Sequence, residues 1–296
     1  MAARIPALLI ESQRVAHTVA HGTHGRRRAG PGETFWQFRH YDLNDARSGI
    51  DWRRSASSDH LFVREREWEA AHTVWLWVDV SRSMRFQSNL ASVSKESRAL
   101  VLALALAELL ARGGERVGLM GGPPFTGRAA ARRVAEMLLG DTSETSLPPN
   151  AKLSRFSECL LFSDFLEPVA AMAERFEEIA AQGVRGHLVQ VLDPAEETLP
   201  YAGRTEFAAN EGRDRVIAGR AETLRTRYQE RLKRHRLDLT DVTRRLGWSF
   251  IINHTDRPPE EALLAIHGQL AGLERDYRYR PPRPAGSVET AAGPKP

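Results

Sequence analysis

Val74-Trp75-Leu76-Trp77-Val78-Asp79-Val80-Ser81-Arg82-Ser83-Met84 is an apolar run that ends in a carboxylate, followed by two hydroxyls at alternate positions. Five successive apolar residues rich in Val and Trp are the pattern of a parallel strand covered on both faces, not of a strand with one wet side. In open α/β sheets, ligands collect beyond the carboxyl ends of such strands, which is where Asp79, Ser81 and Ser83 fall. These three side chains offer only oxygen, which suits a hard divalent cation such as Mg²⁺ better than a thiophilic metal. The competing reading is a turn in which Asp and Ser cap the following helix, since both are favoured there.

Downstream, strand and helix patterns alternate. Ser94-Lys95-Glu96-Ser97 carries an N-terminal helix signal, and the helix runs through Arg112 to a stop at Gly113-Gly114, apolar nearly all round and therefore buried. Val117 to Met120 is the next strand, with Gly121-Gly122-Pro123-Pro124 as its exit turn, and a helix follows from about Gly127 to Leu139. After a polar loop, Asp141 to Leu153, the stretch Ser157 to Phe165 repeats the opening theme of an apolar strand ending in Ser163-Asp164. A helix from Pro168 to about Ala181, a strand at His187 to Pro194, a polar hairpin over Tyr201 to Asp214 and a long charged helix from about Ile217 to Leu246 come next. Gly247 to Asn253 supplies a last strand and Pro258 to Leu273 a last helix. This alternation predicts an α/β fold with a doubly wound, mostly parallel sheet covered by helices on both faces, and no internal repeat.

The N-terminal part reads differently. A short helix spans residues 5 to about 18; His17, His21 and His24 lead from its end into an exposed Gly- and Pro-broken loop that carries the triplet Arg26-Arg27-Arg28. Residues 34 to 41 alternate like a strand, and Leu61 to Trp68 form a charged, edge-like strand. Between them Asp45, Arg47, Asp51 and Arg53 are spaced for an ion-pair network that fixes a loop on the main domain. The expected organisation is a helix and β-rich extension over residues 1–70, an α/β domain over 71–275, and a disordered Pro-rich tail over 276–296.

Composition excludes several classes. With 42% hydrophobic and 27% charged residues, the 296-residue chain has the make-up of a water-exposed globular protein. The longest apolar run, Ala99 to Ala111, is too short to cross a membrane and contains Glu108, and the N-terminal apolar stretch is too short for a secretory signal. The formal charge of +4 is spread among interspersed acids, which argues against a nucleic-acid partner. The single cysteine, Cys159, excludes an internal disulfide and sits in a strand as an inert thiol. A cytoplasmic protein without membrane insertion is expected.

Taken together, Gly32-Glu33-x-Phe35, Arg39-x-Tyr41, Asp45 with Ile50-Asp51-Trp52, Ser55-Ala56, Leu61-x-Val63-Arg64-Glu65, Asp79-x-Ser81-x-Ser83-Met84 and Ser163-Asp164-Phe165 resemble the signature of domain-of-unknown-function family 58. The resemblance spans about residues 15 to 270. It implies a Rossmann-like von Willebrand A-type fold with an N-terminal β extension, in which Asp45, Arg47, Asp51, Trp52, Arg64 and Glu65 form a structural motif or partner loop. It further implies a metal-ion-dependent adhesion site for Mg²⁺ or Mn²⁺, with Asp79, Ser81 and Ser83 in the first loop, Asp164 as the later Asp, and Thr142 or Thr145 as the Thr. Thr126 is a more remote candidate. Family members usually place a longer Thr-containing loop in this region, so the Thr side of the site is shortened.

Few anionic ligands would leave the ion electrophilic, with a position open to a partner's carboxylate. The expected function is non-enzymatic: an adaptor or co-chaperone acting with a MoxR-type AAA+ ATPase, other von Willebrand A-like proteins or a client complex. The alternative is a metal-dependent phosphohydrolase or nuclease using Asp79 and Asp164, although the second acid such phosphatases need stands as Ser81 here.

Overall fold

The computed structural model describes residues 5–22, 35–40, 52–56, 60–66, 72–140, 145–208 and 215–273. Helix α1 (Ile5–Gly22) comes first. Strands β1 (Phe35–His40) and β2 (Phe62–Arg66) pair antiparallel as a small separate sheet, with one helical turn, α2 (Trp52–Ser55), between them in sequence. Then follow β3 (Thr73–Val78), α3 (Lys95–Arg112), β4 (Arg116–Leu119), β5 (Pro124–Phe125), α4 (Ala130–Gly140), β6 (Glu158–Ser163) and α5 (Val169–Ala181). The chain continues through β7 (Arg185–Leu192), α6 (Pro194–Thr198), the antiparallel pair β8 (Thr205–Ala208) and β9 (Arg215–Ala218), α7 (Arg225–Leu246), β10 (Ser249–His254) and α8 (Pro259–Leu273).

Six strands make one sheet in the order β10-β7-β6-β3-β4-β5, parallel throughout except for the β4–β5 pair. This is a Rossmann-like α/β domain. Its layers follow from the period of two along each strand. In β3, Val74, Leu76 and Val78 point into a core shared with α1, α3, α4 and α8, while Trp75 and Trp77 point to the opposite face, against α5 and α7. In β6, Leu160 and Phe162 join the first core and Cys159 and Leu161 the second. Burying such side chains contributes about 1.5–3 kcal/mol each, so the unbroken apolar run of β3 supplies both cores at once. The aromatic rings need room: a Cβ on Gly186 of β7 would stand 2.2 Å from the Trp248 ring, so that position admits no larger residue.

From β3 the chain moves to β4 on one side of the sheet, then returns to β6 on the other side of β3. The switch point therefore lies between β3 and β6, and their carboxyl ends open the crevice where doubly wound sheets bind ligands. Helix α3 begins beside that crevice. The Ser94 hydroxyl caps it by accepting the Ser97 N–H at 3.2 Å, and the body of the helix is buried among α1, α4 and α8.

Several sequence expectations are corrected. The charged helix starts at Arg225, not Ile217, because Arg215–Ala218 pair with β8 and a 3₁₀ turn over Ala221–Leu224 intervenes. The hairpin expected over 201–214 is accordingly displaced toward the C-terminus. Pro124 is no mere exit turn, since Pro124–Phe125 closes the sheet edge antiparallel to β4. Asp45, Arg47 and Asp51, the loop histidine His24, the Arg26–Arg28 triplet and the expected tail over 276–296 lie outside the described residues. Trp52 is 65% exposed, and Arg64 and Glu65 pair in register with Phe38 and Gln37. Among the described residues no helix is long and apolar enough to cross a membrane.

Candidate functional site

Three successive parallel strands, β3, β6 and β7, each end in an aspartate: Asp79, Asp164 and Asp193. All three are buried, at 0%, 2% and 0% exposure, so each must find partners at the sheet edge. Each does so by different chemistry.

Asp79 is held by amide and hydroxyl donors. The Ser81 N–H donates to its Oδ1 at 2.8 Å, closing the turn after β3, and the Ser163 hydroxyl donates to its Oδ2 at 2.6 Å from the end of β6. Burial pushes the Asp79 carboxyl above the usual range, against the opposing pull of these bonds, and the nearby charge of Asp164 adds to the rise. Beyond it, the Ser81 and Ser83 hydroxyl oxygens stand 3.1 Å apart.

Asp164 is held by a cation. Lys95, the first residue of α3, is fully buried and donates from Nζ to Asp164 Oδ2 at 2.8 Å and to Glu196 Oε1 at 2.5 Å. Burial alone would lower the lysine pKa, but the two carboxylates outweigh it and the net direction is upward, which keeps the side chain an ammonium. The other Asp164 oxygen accepts the Leu166 N–H at 3.2 Å, and the turn is set by Phe165, a bulky residue at φ 49°. That left-handed conformation is unfavourable for such a side chain. It is offset by tight fastening: the Phe165 N–H reaches Ser163 Oγ, its ring packs edge-on against Phe176, and Gln190 Nε2 donates to the Asp164 carbonyl.

Asp193 ties the loops together. It caps α6 by accepting the Ala195 N–H, while Glu196 returns its Oε2 to the Asp193 N–H in a capping box. Ser88, in the segment following the first loop, donates both its N–H and its hydroxyl to the Asp193 carboxylate, at 2.8 and 2.5 Å. One loop from each strand end is thereby fixed to another.

The residues present fit a hard divalent cation on two counts. Oxygens 3.1 Å apart match adjacent corners of an octahedron whose Mg²⁺–oxygen bonds are about 2.1 Å. In addition, the nearby charge of Asp164 bears on the Asp79 carboxyl, and no cation among the described residues is in contact with it, so a dication there would meet acidic surroundings. Among the described residues no group of three or more His, Cys, Asp or Glu has the placement of a metal cluster, so an ion here would depend on the serine hydroxyls. Such an ion would be held by Asp79, Ser81 and Ser83, and it would supply Lewis acidity toward an incoming oxygen ligand.

Thr142 lies outside the described residues. Thr145 is exposed and donates to the Leu147 carbonyl at 3.4 Å; its neighbour Ser146 donates to Glu167, three residues past Asp164, which docks that segment on the rim of the crevice. Thr126 lies just past the edge strand β5. Lys95 and Glu196 were missed by the sequence reading. The signal for Lys95 was available: a cation in the first turn of a helix opposes the helix dipole, so it needs a reason to be there. That for Glu196 was the spacing Asp193-x-x-Glu196, a capping box.

A groove of about 1020 Å³ runs between α7 and β10, lined by residues including Lys233, Arg236, Trp248, Phe250 and Ile252. Asp79 is not among its lining residues; Arg236, which is, binds Glu197 and donates to Gln190.

A doubly wound sheet with an oxygen-lined loop at its switch point defines this molecule as a Rossmann-like α/β protein. The chain belongs to the family described as Protein of unknown function DUF58, which residues 37–238 match. Uncharacterized proteins of Mycobacterium bovis and Mycobacterium tuberculosis are each 26% identical over 283 residues, covering 87% of this chain and 86% of their own length. Among solved structures, the conserved hypothetical protein BatB of Bacteroides thetaiotaomicron is 13% identical with a TM-score of 0.38. An aerotolerance-related membrane protein of Bacteroides fragilis is 16% identical with a TM-score of 0.39. Each covers 68% of this chain and 99% of its own.

Proposed function

We propose that this protein is a cytoplasmic, non-enzymatic interaction module, a von Willebrand A-like adaptor or co-chaperone that works with a MoxR-type AAA+ ATPase through an ion-bridged contact. The observation that carries the reading is the Asp79 carboxyl, closed onto the Ser81 N–H, next to the Ser81 and Ser83 hydroxyls that stand 3.1 Å apart at the switch point, an all-oxygen set with one carboxylate in it. A Mg²⁺ or Mn²⁺ ion met by so little negative charge retains attraction for an acidic side chain of a partner. Ser81 occupies the place where the competing phosphohydrolase chemistry requires a second acid.

The test pairs ion binding with partner capture. Wild type is expected to bind Mn²⁺ and to retain a MoxR-type ATPase in the presence of Mg²⁺, and Asp79→Asn to lose both. Retention of the ATPase by Asp79→Asn, or by wild type in chelator, would remove the ion from the contact. Turnover of a phosphoester that vanishes in Asp79→Asn would replace the adaptor reading with the hydrolase.

A further inference from the structure

Lys95 stands in an unusual place. It is the first residue of α3, where the helix dipole disfavours a cation, and its side chain has no exposure to water. Its ammonium occupies the interval between a carboxylate of β6 and one of α6, both within hydrogen-bonding distance. Buried lysines of this kind are retained only with full pairing, because an uncompensated buried charge is strongly unfavourable. Here the pairing also takes Asp164, the second aspartate at the switch point, and commits one of its oxygens to nitrogen and the other to the Leu166 N–H.

We infer that Lys95 is a positioning residue that holds Asp164 away from the ion, so that a dication at Asp79, Ser81 and Ser83 meets one carboxylate and keeps charge for an acidic side chain of the partner. The inference rests on the adhesion-type reading of those three residues and deepens it. It assigns the electrophilicity of the site to a residue outside the oxygen-ligand pattern. Without the ammonium, Asp164 and Glu196 would turn their negative charge on the ion, binding it more tightly and neutralising it.

The experiment titrates Mn²⁺ into the purified full chain by calorimetry, with far-UV circular dichroism to verify the fold. Lys95→Met is expected to bind Mn²⁺ at least about tenfold tighter than wild type, the size of effect a neighbouring unit charge has on the proton affinity of a carboxylate. The double variant Lys95→Met/Glu196→Gln removes a cation and an anion together and still frees Asp164, so it too is expected to bind more tightly. Glu196→Gln alone leaves the ammonium entirely to Asp164 and is expected to bind more weakly than wild type. It also keeps the test decisive if the lysine variants do not fold.

Wild-type affinity in a folded Lys95→Met or double variant, or tighter binding in Glu196→Gln, would overturn the role of Lys95 while leaving the ion site standing. Absence of Mn²⁺ binding in every folded form would overturn both.

Discussion

The ends of β3 and β6 are neighbours in one sheet, both close on a buried aspartate, and they solve the same problem in opposite ways. Asp79 is held by an amide and a hydroxyl, with no cation in contact with it among the described residues. Asp164 is held by a buried ammonium. Hydrogen bonds leave a carboxylate's charge in place, whereas an ion pair cancels it. The difference teaches that two matching sequence motifs, each an apolar strand with Asp at its end, define one limb held by hydrogen bonds alone and one that carries its own cation.

Asp79→Asn tests that contrast most severely. It keeps shape and removes charge, so Mn²⁺ binding is expected to disappear while the fold persists, measured by calorimetry and circular dichroism. Next in size is Lys95→Met in the presence of chelator. Removing one member of a buried pair costs about 3–5 kcal/mol, and urea denaturation is expected to register a loss of that order, partly restored by Mn²⁺.

Ser163→Ala exchanges a smaller effect between the two ends, because this β6 residue serves Asp79 rather than its neighbour. It deprives Asp79 Oδ2 of a donor and the Phe165 N–H of an acceptor. A loss of about 1–3 kcal/mol follows for buried groups left unsatisfied, again by urea denaturation.

The smallest effect concerns the anchor of α6, which carries Glu196 to the lysine. Glu197 is held down to about 2 from an ordinary 4.5 chiefly by Arg236, against burial, with help from His254. A carboxyl lowered in the folded state contributes stability above its unfolded value and loses it as pH falls toward its folded one. Stability should therefore decline through the window from about 4.5 to about 2, and Glu197→Gln should flatten that part of the profile. Because Glu197 is 34% exposed, screening by water keeps the change modest.

What could be read in the sequence was whatever a strong local pattern dictates. β3 and β6 are unbroken apolar runs and α3 is apolar nearly all round, so their burial leaves one assignment and places Asp79 and Asp164 at strand ends. A hairpin is legible here, but its register and the start of α7 are not, because the sequence over 205–224 has no strong periodicity and the pairing of Ile217 with Glu206 is a tertiary choice that propensity does not encode. α6 has five residues, too few for a periodicity. In the sequence Lys95 reads as part of a helix start; its place in the first turn, against the helix dipole, is a local signal, but the carboxylates that answer it lie far along the chain.

That separation bears on how the molecule is put together. Lys95 finds its carboxylates 69 and 101 residues further on. During synthesis the head of α3 must keep its ammonium in water until β6 and α6 have emerged, since burial without them is prohibitive. The central strand and its helix can be assembled early, but the crevice above them is completed late. Its closure records that the chain has been made and paired at least as far as Glu196.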